Sequence, residues 1–469
     1  MIQVQPVDLL AVEALIRRYY KEDIPLPVPG RLLVFPAGVH YLHILLEPLL
    51  GGKFQWALCH GLFWRTNRIR LLRLREPFIG GPSGRYALRL RFALIGLFAS
   101  VFATSLGIAA SIYYVPLYIA YLGAGLEGVA LMGVFRSLAY ALLPAFVGRL
   151  ADRFGRLRLY ALSIFLNAAA LVLMALSPTL TLAYASSLLM GAGYAFFWPI
   201  SSAIAASISS QQGRLRAMAI YSLSWSTAFL IGPLVGGWLR TFLGYWGLFI
   251  ASGLLVLLAP PWLTWIRLGQ ERQAGPITLN FPRAILPLYL AEIPHGMVYG
   301  VASSILPYYM AQNGLGDVEV GALFGLMGAA RLLPLLGMLR PVGPGELPML
   351  LAAMGLFLAS FVLVGLLPHW GGFALGLGLL GLGLGLYYPA ASSLISRRFD
   401  NRHLGLALGL LESIFGIGQM AGPPLGKELY TALGPGPSFV ALGLLWLSMA
   451  PLLLAANRNP RNGGRGTAA

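Results

Sequence analysis

Five ionisable residues lie inside long apolar runs of this sequence: Arg136, Glu292, His295, Arg331 and Glu412. A charge in hydrocarbon is expensive, so such residues mark ion or proton pathways, substrate contacts or obligatory pairs. Glu292, His295, Tyr299 and Ser303 follow i, i+3, i+7, i+11, which puts all four on one stripe of a helix. An acid one turn from an imidazole is a proton-handling pair, because each group can take the proton the other gives up. Arg331 can balance one of the carboxylates Glu292 and Glu412 and leave the other to exchange protons. The competing reading is a static ion pair, Glu412 with Arg331, that only fixes helix packing. No nucleophile–base constellation, phosphate-cradling glycine loop or metal-ligand cluster accompanies these residues. No catalytic residue, metal or cofactor is therefore expected, and the chain is not read as an enzyme.

The elements that must position these groups follow from composition. Of 469 residues, 58% are hydrophobic, only 10% are charged and 58 are glycine. Water cannot receive so much apolar surface, whereas lipid can, and about twenty apolar residues cross its core as a helix. Twelve runs qualify: 92–121, 127–147, 158–177, 180–208, 217–239, 245–266, 284–311, 319–339, 348–367, 371–396, 405–426 and 436–456. A repeat divides them. Phe197-Trp198-Pro199 precedes Gly232-Pro233 by the same interval, proline to proline, as Tyr387-Tyr388-Pro389 precedes Gly422-Pro423. Two copies of one helical unit are how secondary transporters are commonly built. The domain reading is thus a basic extension 1–91, a six-helix bundle 92–267, a polar linker 268–283, and a second bundle with a short tail, 284–469.

Orientation follows from the basic residues. With the N-terminus in the cytoplasm, only Arg240 and Lys427 of the 33 Lys and Arg fall outside, and Arg136 and Arg331 fall within spans. Both termini are then cytoplasmic, in a multi-pass protein of the cell (inner) membrane. The net charge of +17 is read as topology and attraction to lipid headgroups, not as a nucleic-acid footprint. The single cysteine, Cys59, excludes a disulfide framework. Val7 to Tyr20 reads as an amphipathic helix, and no cleavable signal peptide is visible at the N-terminus.

Gly148-Arg149-Leu150-Ala151-Asp152-Arg153-Phe154-Gly155-Arg156 joins spans two and three. It resembles the signature loop of the major facilitator superfamily, G-x-L-A-D-R-x-G-R-[KR], departing at Leu157, with Arg158 one step on. In that family the loop ties the two bundles together, which implies such a role for Gly148, Asp152, Arg153, Gly155 and Arg156. In span five, Gly232, Pro233, Gly236 and Gly237 match G-x8-G-x3-G-P-x2-G-G, with Ala219 and Ala228 at the first two glycine positions. This resembles the motif of the family's drug:proton antiporter branches, where a tight helix contact opposes ion leak. The family's exporters often carry R-x-x-Q-G in span four; here Ser187 and Met190 occupy the arginine and glutamine positions.

The resemblance implies an all-α fold, twelve transmembrane helices in two pseudosymmetric six-helix bundles, with spans one, four, seven and ten around a central cavity. The lining candidates are then Thr104, Ser111, Tyr114 and Tyr118; Tyr184, Ser187, Tyr194 and Trp198; Tyr299 and Ser303; and Tyr387 and Tyr388. Spans two and eleven face each other in that fold, so Arg136 is a second candidate partner for Glu412. Such an aromatic cavity suits apolar or weakly cationic compounds. The expected function is proton-coupled efflux by alternating access, with Glu292 carrying the coupling proton and His295 modulating it. Partners are a small-molecule substrate, protons and membrane lipids, with the chain acting as a monomer. Two alternatives remain: metabolite uptake by symport or uniport in the same fold, and a lipid-handling or non-transporting protein acting through residues 1–91.

Overall fold

The apolar stretch Tyr221–Leu263 is 43 residues long. At about 1.5 Å per residue it would reach roughly 65 Å, twice the hydrocarbon thickness. It turns instead at Gly244, whose φ of 69° and ψ of −173° only glycine adopts without strain. Spans five and six therefore separate within the interval the sequence leaves between 239 and 245. The computed structural model describes residues 83–208, 214–266, 286–338, 345–396, 404–447 and 450–457.

Each of the twelve expected spans falls on helix there. Span one is Ser83–Ser111, continued by Val115–Tyr121; span two is Leu126–Leu142 and Pro144–Phe154; spans three and four are Arg156–Ala175 and Leu180–Ile208. Spans five and six share Arg214–Leu257. Spans seven to twelve are Leu286–Gln312, Asp317–Gly337, Glu346–Leu366, Trp370–Ser396, Leu404–Leu433, and Pro435–Leu447 with Ala450–Asn457. Among the described residues eight helices are long and apolar enough to cross a membrane, with Tyr221–Leu263 counted as one. Side chains such as Phe165, Trp238, Leu326 and Leu375 stay exposed on the outer surface, as lipid contact requires. The chain is an all-helical, multi-pass membrane protein.

Span one departs from its expected continuity. Its helix ends at Ser111 and resumes at Val115, with Pro116 in the new first turn. The expected helix at 7–20, most of the basic extension, the linker 268–283, the turn 340–344 and the C-terminal tail lie outside the described residues.

The two halves repeat one another in packing as well as in sequence. Spans two and three pack on four as eight and nine pack on ten, and span twelve packs on nine as six does on three. Among the described residues the halves meet chiefly along span five against eight and span eleven against two, with span seven also touching span two and Val115–Tyr121. Glycines with left-handed φ close equivalent turns, Gly123 with Gly314 and Gly244 with Gly434. We refer to the two ends of the bundle as the Gly123 face and the Gly155 face.

Candidate functional site

Span seven carries the acid centre. His295 Nδ1 lies 2.6 Å from Glu292 Oε1, one helical turn away, so a hydrogen bond joins the two side chains. Glu292 is fully buried, and its second oxygen, Oε2, has no hydrogen-bond partner. The imidazole is held by rings: Tyr387 stacks on it at 4.3 Å between centroids and Phe415 tilts against it at 5.0 Å. Tyr387 is anchored in turn by donating to the Ala291 carbonyl at 2.8 Å. Small residues make this packing possible. A Cβ on Gly418 would fall 1.9 Å from the Ile293 carbonyl oxygen, and one on Gly296 would fall 2.0 Å from that of Phe415. Spans seven and eleven therefore touch backbone to backbone, and Glu412 is brought close enough to feel the charges of Glu292 and His295.

Glu412 is not paired with an arginine. Tyr140 donates to its Oε2 and Tyr388 to its Oε1, both at 2.5 Å. Tyr388 comes from span ten of the same half, whereas Tyr140 reaches across from span two. Neither of the expected ion pairs, Glu412 with Arg331 or with Arg136, occurs among the described residues. The reason is reach and rotation. Arg331 lies over the Trp225 ring at 4.3 Å, across the other seam. Arg136 points toward span seven, donating from Nη2 to Ser303 Oγ at 2.7 Å and to Ser304 Oγ at 3.1 Å.

Polar groups without partners gather around Arg136. Its side chain is 1% exposed, and neither Nε nor Nη1 has an acceptor. The phenols of Tyr113, Tyr194 and Tyr299 lie within electrostatic reach of its guanidinium. The hydroxyls of Tyr113 and Tyr194 are buried and unpartnered. Tyr113 stacks face to face on Phe324 of the other half, centroids 3.7 Å apart. Trp198 and Trp225 meet edge to face at 6.0 Å nearby.

Toward the Gly123 face, Tyr114 Oη donates to the Pro233 carbonyl at 2.9 Å and to the Asp317 carbonyl of the other half at 3.1 Å. Arg240 and Asp317 form an ion pair at 3.7 Å, each about a quarter exposed. The span-five motif builds this seam. A Cβ on Gly236 would meet the Ala110 carbonyl oxygen at 2.0 Å, one on Gly232 would meet Ala109 Cβ at 2.5 Å, and one on Gly237 would meet the Asp317 carbonyl at 2.9 Å. Gly321 of span eight fits against Pro233, just as Gly133 of span two fits against Pro423. Gly422-Pro423, the repeat of Gly232-Pro233, therefore occupies the matching place. Helix Val115–Tyr121 packs on span seven at this face, whereas spans four and ten do not pack on each other among the described residues. The halves are in contact at the Gly123 face, and span eleven also packs on Pro144–Phe154 toward the Gly155 face.

The remaining expected residues divide. Thr104, Ser111 and Ser187 are buried, and their hydroxyls donate to carbonyls one turn back in their own helices. Tyr118 donates to the Ser177 carbonyl at 2.5 Å inside an aromatic group with Tyr245 and Phe249. Tyr184 stacks on Phe135 at 5.4 Å. Those four expected cavity residues with small hydroxyls or distant rings, together with Tyr184, do not meet the acid centre. Gly155 caps Pro144–Phe154 with φ 88°. Gly148 is exposed, Arg153 lies 5.3 Å from the Phe154 ring, and Arg156 opens span three. The side chains of Arg149, Asp152 and Ala219 lie outside the described residues. Sequence reasoning did not single out Tyr113, Tyr140, Trp225 or Ser304. Tyr140 had a signal, its i+4 spacing from Arg136 on one helix face; the others had none.

A family model for the Major Facilitator Superfamily matches residues 97–337 and again 288–468. Multidrug resistance protein 2 of Bacillus subtilis (strain 168) is 27% identical over 163 residues, 35% of this chain and 41% of that protein. Tetracycline resistance protein, class C, of Escherichia coli is 24% identical over 349 residues, 69% of this chain and 84% of that protein. The chain thus spans less than half of the first of these relatives. The crystal structure of the human organic anion transporter MFSD10 (TETRAN) superposes with a TM-score of 0.62 at 20% identity, covering 78% of this chain and 99% of that one. At that identity the likeness is one of fold.

Proposed function

Because the chain belongs to the Major Facilitator Superfamily, a family of transporters, we propose that it is a proton-coupled exporter of small, largely hydrophobic compounds. One observation carries the coupling: the buried Glu292–His295 pair at 2.6 Å, with the second carboxylate oxygen unpartnered. An acid in that setting exchanges one proton with whatever reaches it and pays for a bare charge when nothing does. Glu412, held by Tyr140 across the seam between the halves, is the group through which a proton would alter how the halves pack. Efflux rather than uptake is supported by the dry span-five motif and by the drug-resistance names of the relatives. With the N-terminus cytoplasmic in the inner membrane, the Gly123 face is the outer one.

The centre modifies the substrate class expected from sequence. Arg136 and Arg331 reach into the middle from spans two and eight, so a cation there would face two positive groups. Such a centre disfavours the weakly cationic compounds that an aromatic lining alone would suit.

The test is counterflow in proteoliposomes of the full chain. An outward-directed flux of a tetracycline or a hydrophobic dye should follow an imposed pH gradient, and Glu292→Gln should uncouple it while leaving exchange at equal pH. Coupling that persists in Glu292→Gln removes this assignment. A gradient that drives accumulation in the opposite sense makes the protein an importer.

A further inference from the structure

Four unpartnered groups at and around Arg136 share one property. Arg136 Nε–H and Nη1–H and the hydroxyls of Tyr113 and Tyr194 all have a hydrogen to give and no acceptor. A guanidinium can only donate, so it cannot satisfy another donor. Tyrosine oxygens can accept, yet none of these is placed to do so. Arg136 is 1% exposed and has no carboxylate partner among the described residues. Burying a full positive charge with two idle donors is costly unless something negative completes it. The carboxylates Glu292 and Glu412 do not: Glu412 is held by Tyr140 and Tyr388, and Glu292, although its Oε2 is unpartnered, is bonded to His295 and is not among the groups that Arg136 senses. The groups that Arg136 senses electrostatically are the phenols of Tyr113, Tyr194 and Tyr299.

A carboxylate or similar oxyanion is the complement of this set, since it offers about four lone-pair sites and nothing to donate. A cation or a neutral donor would add to the surplus. The walls on either side are apolar and aromatic: Phe324 stacked on Tyr113, Phe415 beside Tyr299, and the Trp198–Trp225 pair. We propose that Arg136, Tyr113 and Tyr194 form a binding site for the anionic group of a largely apolar organic acid, and that such acids are the transported compounds. The second half of that statement rests on the transport reading above; the binding site stands without it.

Binding is measured on the full-length protein in lipid nanodiscs, by tryptophan quenching and by thermal unfolding. The probes are three molecules of one shape, 2-naphthoate, 2-naphthamide and 2-naphthylmethylammonium, with chloride as a fourth. Wild type should bind naphthoate about tenfold or more tightly than the amide or the cation, as a charge-assisted bond in a buried site requires. Arg136→Gln should lose that preference and keep its affinity for the amide, and Arg136→Lys should keep part of it. Tyr113→Phe and Tyr194→Phe should each weaken naphthoate about threefold. These two variants carry the test if Arg136→Gln does not yield monodisperse protein. Equal or tighter binding of the amide or the cation overturns the proposal, as does an unchanged preference in Arg136→Gln. Saturation of the same signal by chloride, without a naphthyl contribution, reduces the site to an inorganic-anion site and overturns the substrate class. Glu292→Gln separates the two readings. It should keep the naphthoate preference while losing proton coupling; absent coupling with intact preference in the wild type rejects the exporter and leaves the site.

Discussion

Gly321→Ala probes the seam at the Gly123 face most directly. The added Cβ would lie 2.4 Å from the Pro233 carbonyl oxygen and 2.4 Å from Tyr114 Oη. The phenol is the end of a side chain and can swing away, at the loss of its bonds to Pro233 and Asp317. The carbonyl belongs to a helix and cannot. Overpacking of this kind costs about 1–3 kcal/mol, and the cost falls only on the state in which spans five and eight are closed. The closed-to-open ratio at this face should therefore drop about 5- to 150-fold. Tyr114→Phe alone removes one hydroxyl that crosses between the halves, worth about 1 kcal/mol, and should shift the ratio roughly fivefold the same way. Because Phe also relieves one of the two clashes, the double variant should shift less than the sum of the singles. The readout is electron–electron distance measurement between spin labels at Tyr121→Cys and Gln312→Cys, exposed positions on either half, with Cys59→Ser as background. Gly355→Ala is the control, since nothing lies within 4 Å of its Cβ position. Unchanged distances in Gly321→Ala, or an equal change in Gly355→Ala, would refute the claim that backbone contact at this seam sets the conformational balance.

Further outcomes follow from the same geometry. Tyr140→Phe and Tyr388→Phe each remove a 2.5 Å bond to Glu412, and each should lower unfolding free energy in detergent by about 1.5–3 kcal/mol. Only Tyr140→Phe should also loosen the two–eleven seam, visible as a changed label distance between spans two and eleven. Gly191→Ala would set a Cβ 1.9 Å from the Arg136 carbonyl oxygen. It should destabilise by about 1–3 kcal/mol and shift Arg136, read as lower unfolding temperature together with weaker naphthoate binding. Arg240→Gln breaks an ion pair of 3.7 Å between partly exposed groups and should change the closed-to-open ratio by no more than about 1 kcal/mol, less at high salt. Gly155→Ala places a side chain at φ 88° and should cost about 1–3 kcal/mol in thermal unfolding.

Sequence by itself determined what depends on neighbours along the chain. Apolar run length fixed where helices cross, and the interval between Pro199 and Pro233, repeated at Pro389 and Pro423, fixed that there are two related halves. The end of span five was bracketed between 239 and 245, and the structure puts the turn on Gly244, whose backbone angles no other residue takes cheaply. The Glu292–His295 pair was readable for the same reason, since residues three apart on a helix meet whatever surrounds them. Even the seam motif was legible, because small residues at helix spacing state that something must come close. What they approach was not written there. Depth along a span says nothing of its rotation or of which helix stands opposite. Arg331 therefore went to Trp225 rather than to a carboxylate, Arg136 turned to Ser303 and Ser304, and Glu412 took two tyrosines from different helices. Arginine and tyrosine side chains span several ångströms, so a residue outside the expected lining spans can still command the centre. Only the packing of twelve helices decides which of them does.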